Sequence, residues 1–318
     1  MEIQQLRHFV AVARYGHLGR AADDQKLTQS GITRSIQSLE EFLGVNLLRR
    51  TARGVTLTPV GKELLRHAEA IVNQRERALG AIEIFMRGDI GAVTIGTTNT
   101  TDYDFMPEVS AQVLSKHPGL RIAIKSGPYL DLVDALRMGE IELIVGLIDP
   151  SFRHPEVVTE DLFLTRSVVA CRPAHPLATK DEITLEDLSA SKWAMLSSRG
   201  LQHAFHAFFQ SQRLTMPEQV IKSNSLIFIR TILYQLDVLT ALPWKYLQAD
   251  IAAGTLIALK APTPGDFAKV GITRLADGEP SFAATVILEE VRRLGAERSA
   301  APADAPPSQS CAKAVKRG

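Results

Sequence analysis

Up to about residue 90 the apolar positions recur with helical spacing; beyond it, short β-branched runs alternate with helical stretches. Leu6, Phe9, Val10 and Ala13 form an i, i+3, i+4, i+7 stripe, and Gly16 ends that helix. A short second helix holds Ala21 and Ala22, small enough to let two helices approach closely. A third opens at Thr28, a natural N-cap, carries the stripe Ile32, Ile36, Leu39 and Leu43, and stops at Gly44. Two β-like pieces follow, at 47–49 and 55–58, around the tip Arg50-Thr51-Ala52-Arg53-Gly54. Three helices and a basic hairpin describe a winged helix-turn-helix.

Thr58-Pro59 pairs an N-cap with proline at the first helical position, a strong start signal. The helix it opens runs to about residue 87, with apolar Leu64, Ala68, Ile71, Val72, Ala78, Ile82 and Phe85, interrupted by Arg75. So long a helix, without a core of its own, is expected to pack against a second copy of the chain. From residue 92 the pattern is strand–helix–strand. Strands are expected at 92–97, 120–125 and 143–147, with helices at 105–115 and 130–138 between them. A second set places strands at 167–171, 193–196, 238–242, 256–259 and 270–274, and helices at 201–212, 225–234 and 281–294. This is too much for one small sheet and predicts two α/β lobes with a cleft between them. The stretch 296–318, rich in Ala and Pro and ending in Lys313, Lys316 and Arg317, reads as disordered.

Composition narrows the function. The 318 residues are 45% hydrophobic with mean hydropathy +0.02, and 36 basic side chains face 35 acidic ones, for a net charge of +1. Affinity for nucleic acid must therefore come from a local patch. Residues 1–58 supply one, with eight basic and five acidic side chains, which leaves −2 for the remainder. Apolar runs such as 142–148 fall far short of the ~20 residues that span a bilayer. The start of the chain carries no secretory pattern, and two cysteines exclude a disulfide framework or a zinc ribbon. The expectation is a cytoplasmic protein with no membrane contact.

The polar face of the third helix shows Gln29, Ser30, Thr33, Arg34 and Gln37, short polar and basic groups of the kind that read base edges in a major groove. Arg50 and Arg53 on the wing suit the flanking phosphates. An ordinary amphipathic helix also has a polar face; the ordered set of three helices, basic wing and long helix favours DNA. Gly31, inside the helix, reads either as room for close approach to the second helix or DNA, or as a tolerated defect costing ~1 kcal/mol relative to Ala.

The order of these motifs resembles the LysR-type transcriptional regulators. It is carried by Leu6-Arg7-His8-Phe9-Val10-Ala11-Val12-Ala13, Arg20-Ala21-Ala22, Leu27-Thr28-Gln29-Ser30-Gly31-Ile32-Thr33-Arg34-Ser35-Ile36, Leu39-Glu40-Glu41-Phe42-Leu43-Gly44, Leu47-Leu48-Arg49-Arg50 and Leu57-Thr58-Pro59-Val60-Gly61. Gly139-Glu140-Ile141-Glu142-Leu143 and His175-Pro176-Leu177-Ala178 fit as well. The resemblance implies an α-helical winged helix-turn-helix domain (1–58) plus a linker and dimerisation helix (59–89). A two-lobed α/β effector domain (90–294), resembling the type 2 periplasmic binding proteins, would follow. Lobe I would comprise about 90–164 and 267–294, lobe II about 165–266, with a disordered tail at 295–318. It further implies a homodimer or homotetramer, a small-molecule effector between the lobes, altered DNA bending and contact with RNA polymerase. Carried onto this chain, the base-reading set is Gln29, Ser30, Thr33, Arg34 and Gln37, with Arg53 in the wing.

Ligands of two-lobed α/β domains sit at strand ends against helix N-termini, which suit anionic or polar groups. Four places qualify: Thr98, Thr100 and Thr101 within Thr97-Thr98-Asn99-Thr100-Thr101; Ser126 and Pro128; Ser197, Ser198 and Arg199; and Asn224. Plain helix capping is the alternative for any one of them; four at matching points favour a ligand site. Where relatives often carry Gly-x-Gly, this chain has Gln235-Leu236-Asp237, which adds a negative charge expected near the lobe hinge.

Cys171 lies in an apolar run and reads as core; a redox pair with Cys311 would need the tail to fold back. The eight histidines show no metal-ligand spacing; His203 and His206, three apart, could share a helix face. Neither GxSxG, GxxxxGK[ST] nor GxGxxG after a strand is present, so no cofactor or metal is expected. An enzyme, or a solute-binding domain fused to a helical adaptor, stands as the alternative to a regulator.

Overall fold

The computed structural model describes residues 1–51, 54–87, 91–148, 152, 154–197, 199–264 and 267–300. The N-terminal unit comprises α1 (Ile3–Tyr15), α2 (Leu18–Asp24), α3 (Gln29–Leu43), β1 (Leu48–Thr51), β2 (Gly54–Leu57) and α4 (Pro59–Arg87). Local signals set its boundaries. Gly16 and Gly44 stop α1 and α3 in left-handed conformation, at φ 59° and 69°. The Thr28 hydroxyl caps α3 by accepting from the Gly31 amide at 3.1 Å, and Thr58 caps α4 by accepting from Gly61 at 3.0 Å. A Cβ at position 31 would meet that Thr28 oxygen at 3.2 Å, so the glycine's near neighbour is its own cap rather than α2.

The core of this unit joins Leu6, Phe9, Ala11, Val12, Ala21, Ala22, Ile32, Ile36, Leu39, Leu47 and Ala68. The buried face of α1 is thus Leu6, Phe9 and Val12, flanked by His8 and Ala11, while Val10 and Ala13 are half-buried. The expected stripe is displaced because α4 packs on α1 as well as α2 and α3 do. The wing is tied to α1 by the Val55 amide, which donates to the Gly16 carbonyl at 2.9 Å. A side chain at position 54 would lie 2.4 Å from that carbonyl, and φ there is 135°, so only glycine fits the strand start. On α4, Leu64, Leu65 and Val72 pack on the core, whereas Ile71, Leu79 and Ile82 are exposed.

The remainder runs β3 (Gly91–Thr97), α5 (Phe105–Lys116), β4 (Leu120–Ser126), α6 (Tyr129–Arg137), β5 (Leu143–Leu147), β6 (Val157–Cys171), α7 (Leu185–Ala190), β7 (Trp193–Leu196), α8 (Arg199–Ser211), β8 (Gln219–Ser223), α9 (Leu226–Leu233), β9 (Thr240–Pro243), α10 (Trp244–Ala252), β10 (Ile257–Ala258), β11 (Phe267–Leu275) and α11 (Phe282–Ala300). Among the described residues the main sheet is ordered β10-β6-β11-β5-β3-β4, with β9 also on β6. Strand β6 belongs to both lobes. Its first part pairs with β11 as far as Arg166 opposite Phe267, and from Ser167 onward it pairs with β9. The change of partner falls at Arg166 and Ser167, beside the lobe boundary expected at 164–165. Lobe I stacks α5 and α11 on one face of β3, β4 and β5 and packs α6 on the other. Lobe II buries Trp193, Phe205 and Phe209 on one side and Ile229, Leu242 and Leu247 on the other.

The tail expected to be disordered from 295 is helical as far as Ala300. Arg298 explains why: its guanidinium reaches Asp104 at 2.7 Å and Glu108 at 2.8 Å and lies 4.8 Å from the Phe105 ring centroid. Residues 301–318, including Cys311, lie outside the described residues. No helix among the described residues is long and apolar enough to cross a membrane.

Candidate functional site

Helix α3 is two-faced. Ile32, Ile36 and Leu39 are buried, while Gln29, Ser30, Arg34 and Gln37 are exposed on the opposite side. Thr33 is half-buried and its hydroxyl donates to the Gln29 carbonyl at 2.8 Å. Among the described residues Arg34 and Gln37 have no hydrogen-bond or ion-pair partner, so their donors are available to a ligand. Arg50 lies in β1 opposite Val55, with its side chain outside the described residues, and Arg53 lies outside them altogether.

One supporting residue escaped the sequence reading. The Glu40 carboxylate accepts from the amides of Leu47 and Leu48 at 2.6 and 3.0 Å, fixing the wing to the exposed helix. A second buried polar link joins α1 to α3: His8 Nδ1 lies 2.7 Å from Ser35 Oγ. Burial, and then the Arg7 charge, lower the His8 pKa and so favour the neutral ring.

In the effector domain the described parts of the expected clusters lie against one another. Thr97 at the end of β3 and Ser126 at the end of β4 place their hydroxyls 3.2 Å apart, and the Gly127 amide donates to the Thr97 carbonyl at 3.1 Å. In lobe II the Ser197 amide donates to the Ser223 carbonyl at 2.9 Å. Across the lobes, Asn99 Nδ2 donates to the Asn224 carbonyl at 2.5 Å, and Tyr103 meets Tyr246 edge-on with ring centroids 5.2 Å apart.

The threonines serve the loop first. Thr98 and Thr100 are 8% and 7% exposed, with hydroxyls 3.1 Å apart, and Thr98 Oγ1 also accepts from the Leu147 amide at 2.8 Å. Two hydroxyls sharing that arrangement still have a proton to offer a ligand. Thr101, 1% exposed, donates to the Val145 carbonyl at 2.9 Å and so holds the loop. The threonines do not cap α5, which Asp104 caps, whereas in the Asn224 cluster the capping alternative holds for Ser225, which caps α9. Gly146, unflagged by the sequence, makes room for Thr98, since a Cβ there would lie 2.1 Å from Thr98 Oγ1. Pro128 is the N-cap residue of α6. Ser198 and the side chain of Arg199 lie outside the described residues.

Gln235-Leu236-Asp237 is remote from the hinge. Asp237 accepts from Arg172 Nε at 2.8 Å, and Arg172 also donates to the Gln235 carbonyl at 3.1 Å. Arg172 follows the last residue of β6, the end away from the Arg166 crossing, because the strand runs its whole lobe II length between them. The pair holds the Asp237 pKa down, with the hydrogen bond from Arg172 the main cause. Cys171 is buried, and burial pushes its thiol up to about 12, as befits a core residue. His203 and His206 are exposed on α8.

Residues 3–62 match the bacterial regulatory helix-turn-helix protein, lysR family, and residues 87–296 match the LysR substrate binding domain. The HTH-type transcriptional regulator AlsR of Bacillus subtilis is 32% identical over 188 residues, 59% of this chain and 62% of that protein. The regulator PcaQ of Agrobacterium fabrum is 26% identical over 298 residues, 93% of this chain and 96% of that protein. Among solved structures, CbnR, a LysR family transcriptional regulator, superposes with a TM-score of 0.66 at 21% identity, covering 92% of this chain and 99% of that one. Full-length CbnR complexed with its target DNA gives 0.68 at 23%, with the same coverage. With a winged helix-turn-helix, a linker helix and a two-lobed α/β effector domain in this order, the chain belongs to the LysR family of bacterial transcriptional regulators.

Proposed function

We propose that Gln29, Ser30, Thr33, Arg34 and Gln37 read the operator in the major groove, with Arg50 and Arg53 of the wing on flanking phosphates. The observation that carries this reading is the polar face of α3, with Arg34 and Gln37 exposed opposite its buried Ile32–Ile36–Leu39 side. Arg34 is the member suited to a bidentate contact with a guanine edge. The wing arginines add affinity without sequence preference, so Arg53→Ala weakens binding to all duplexes alike and flattens the salt dependence.

The effector is a small polar or anionic molecule held between the lobes by Thr98, Thr100, Ser126, Ser197, Ser198, Arg199 and Asn224, with Thr101 and Pro128 shaping the walls. Hydroxyl and amide groups gathered at four strand ends support this class of ligand. A thermal-shift screen of carboxylates, aromatic acids and sugars tests it. A stabilising ligand should lose its effect in Ser126→Ala and Thr100→Ala; stabilisation that survives both substitutions contradicts the site.

The protein acts in the cytoplasm as a homodimer or homotetramer, with the exposed Ile71, Leu79 and Ile82 of α4 against a second copy. Effector binding rearranges the protomers on DNA and alters contact with RNA polymerase.

A further inference from the structure

Helix α6 has one end at the proposed effector site and the other on the linker helix. Its first residue, Tyr129, follows Ser126-Gly127-Pro128, and Gly127 is tied to the end of β3 through the Thr97 carbonyl. At its far end the Met138 carbonyl accepts a hydrogen bond from Asn73 Nδ2 on α4 at 2.7 Å. Between the ends, Leu132, Val133, Ala135 and Leu136 are buried against the lobe I sheet with Ile141 and Ile144. Nine helical residues span ~14 Å, and a helix packed along its length moves as a body.

The contact at the linker is open on one side. An open groove of about 260 Å³ lies beside it, between Arg66, His67 and Ala70 of α4 and Asp134 and Arg137 of α6 with Met138 just after it. Glu69, one turn before Asn73, is half-buried, and burial first and then the Glu140 charge raise its pKa against a lowering by Arg14. The Glu140 carboxylate, just past the end of α6, is ion-paired with Lys125, so the docking at this end rests on Asn73. Among the described residues Asn73 supplies the side-chain hydrogen bond between α4 and the end of α6, and the open groove beside it leaves room for a second arrangement.

We infer that α6 is the rod that couples the effector cleft to the linker helix, with Asn73 as the positioning residue at its output end. This rests on the proposed effector site only for which ligand drives it; the coupling itself is reciprocal, so DNA bound at the far end of α4 must alter the cleft end of α6.

Hydrogen exchange on the full-length protein, free and bound to duplex from its own promoter region, tests this without a known effector. In the parent, DNA should protect α3 and change exchange in the segment 128–134 by about fivefold or more, the lower end of ordinary coupling. Asn73→Ala should keep the protection of α3 and lose the change at 128–134. An unchanged segment 128–134 in the DNA-bound parent, or a full response in Asn73→Ala, overturns the inference. Failure of DNA to protect α3 in the parent would instead contradict the reading of α3 itself.

Discussion

The carboxylate of Glu40, on the helix that bears the proposed reading face, accepts the backbone amide of Leu47 at 2.6 Å and that of its neighbour Leu48 at 3.0 Å. The wing therefore takes its position from the helix beside it. Replacing Glu40 with Ala strands both amides at the start of β1 and should cost about 1–3 kcal/mol of stability. Glu40→Gln, which keeps an acceptor, should cost less. Urea unfolding of the two variants checks the order; equal losses would mean that the acceptor does not matter.

Gly146 and Thr98 form a pair of the opposite kind, one residue existing to make room for the other. A methyl at 146 would lie 2.1 Å from Thr98 Oγ1 and 2.8 Å from its Cγ2. Gly146→Ala should destabilise by about 1–3 kcal/mol through overpacking. Thr98→Ala in the same chain removes both of those atoms and should recover part of the loss. Strictly additive losses in the double-mutant cycle would contradict the packing described.

His8 makes stability depend on pH. Its folded pKa lies below the ordinary value of 6.5, mainly through burial, so the unfolded chain takes up a proton first as pH falls. The contribution is complete above about pH 6.5 and declines as pH drops toward the folded value. The pKa of His175 is lowered by burial too and acts in the same direction. Unfolding free energies at pH 7.5, 6.5 and 5.5 should decline, and His8→Gln should flatten part of that decline; an unchanged profile in the variant assigns it elsewhere.

Much of this architecture is legible in the sequence because its determinants are local. Thr28 and Thr58-Pro59 open helices, Gly16 and Gly44 close them, and the strand–helix alternation after residue 92 announces two lobes. What escapes the sequence depends on distant partners. Arg298 continues α11 by reaching Asp104 and Glu108, almost two hundred positions away, in a stretch whose composition suggests disorder. The first half of β6 is partly exposed and carries Thr159, Glu160 and Asp161, so no apolar run marks it. Four clusters can be named from hydroxyl-rich strand ends, but the sequence cannot show that Thr101 spends its hydroxyl on Val145 or that Asp237 is claimed by Arg172.

The assignment of α3 as the reading element is tested most directly by Arg34→Ala, measured as the ratio of affinities for a promoter duplex and a scrambled one at several salt concentrations. The predicted result is a loss of about 1–3 kcal/mol of discrimination with the helix still folded. A ratio that stays at the parent value at every salt concentration would contradict it.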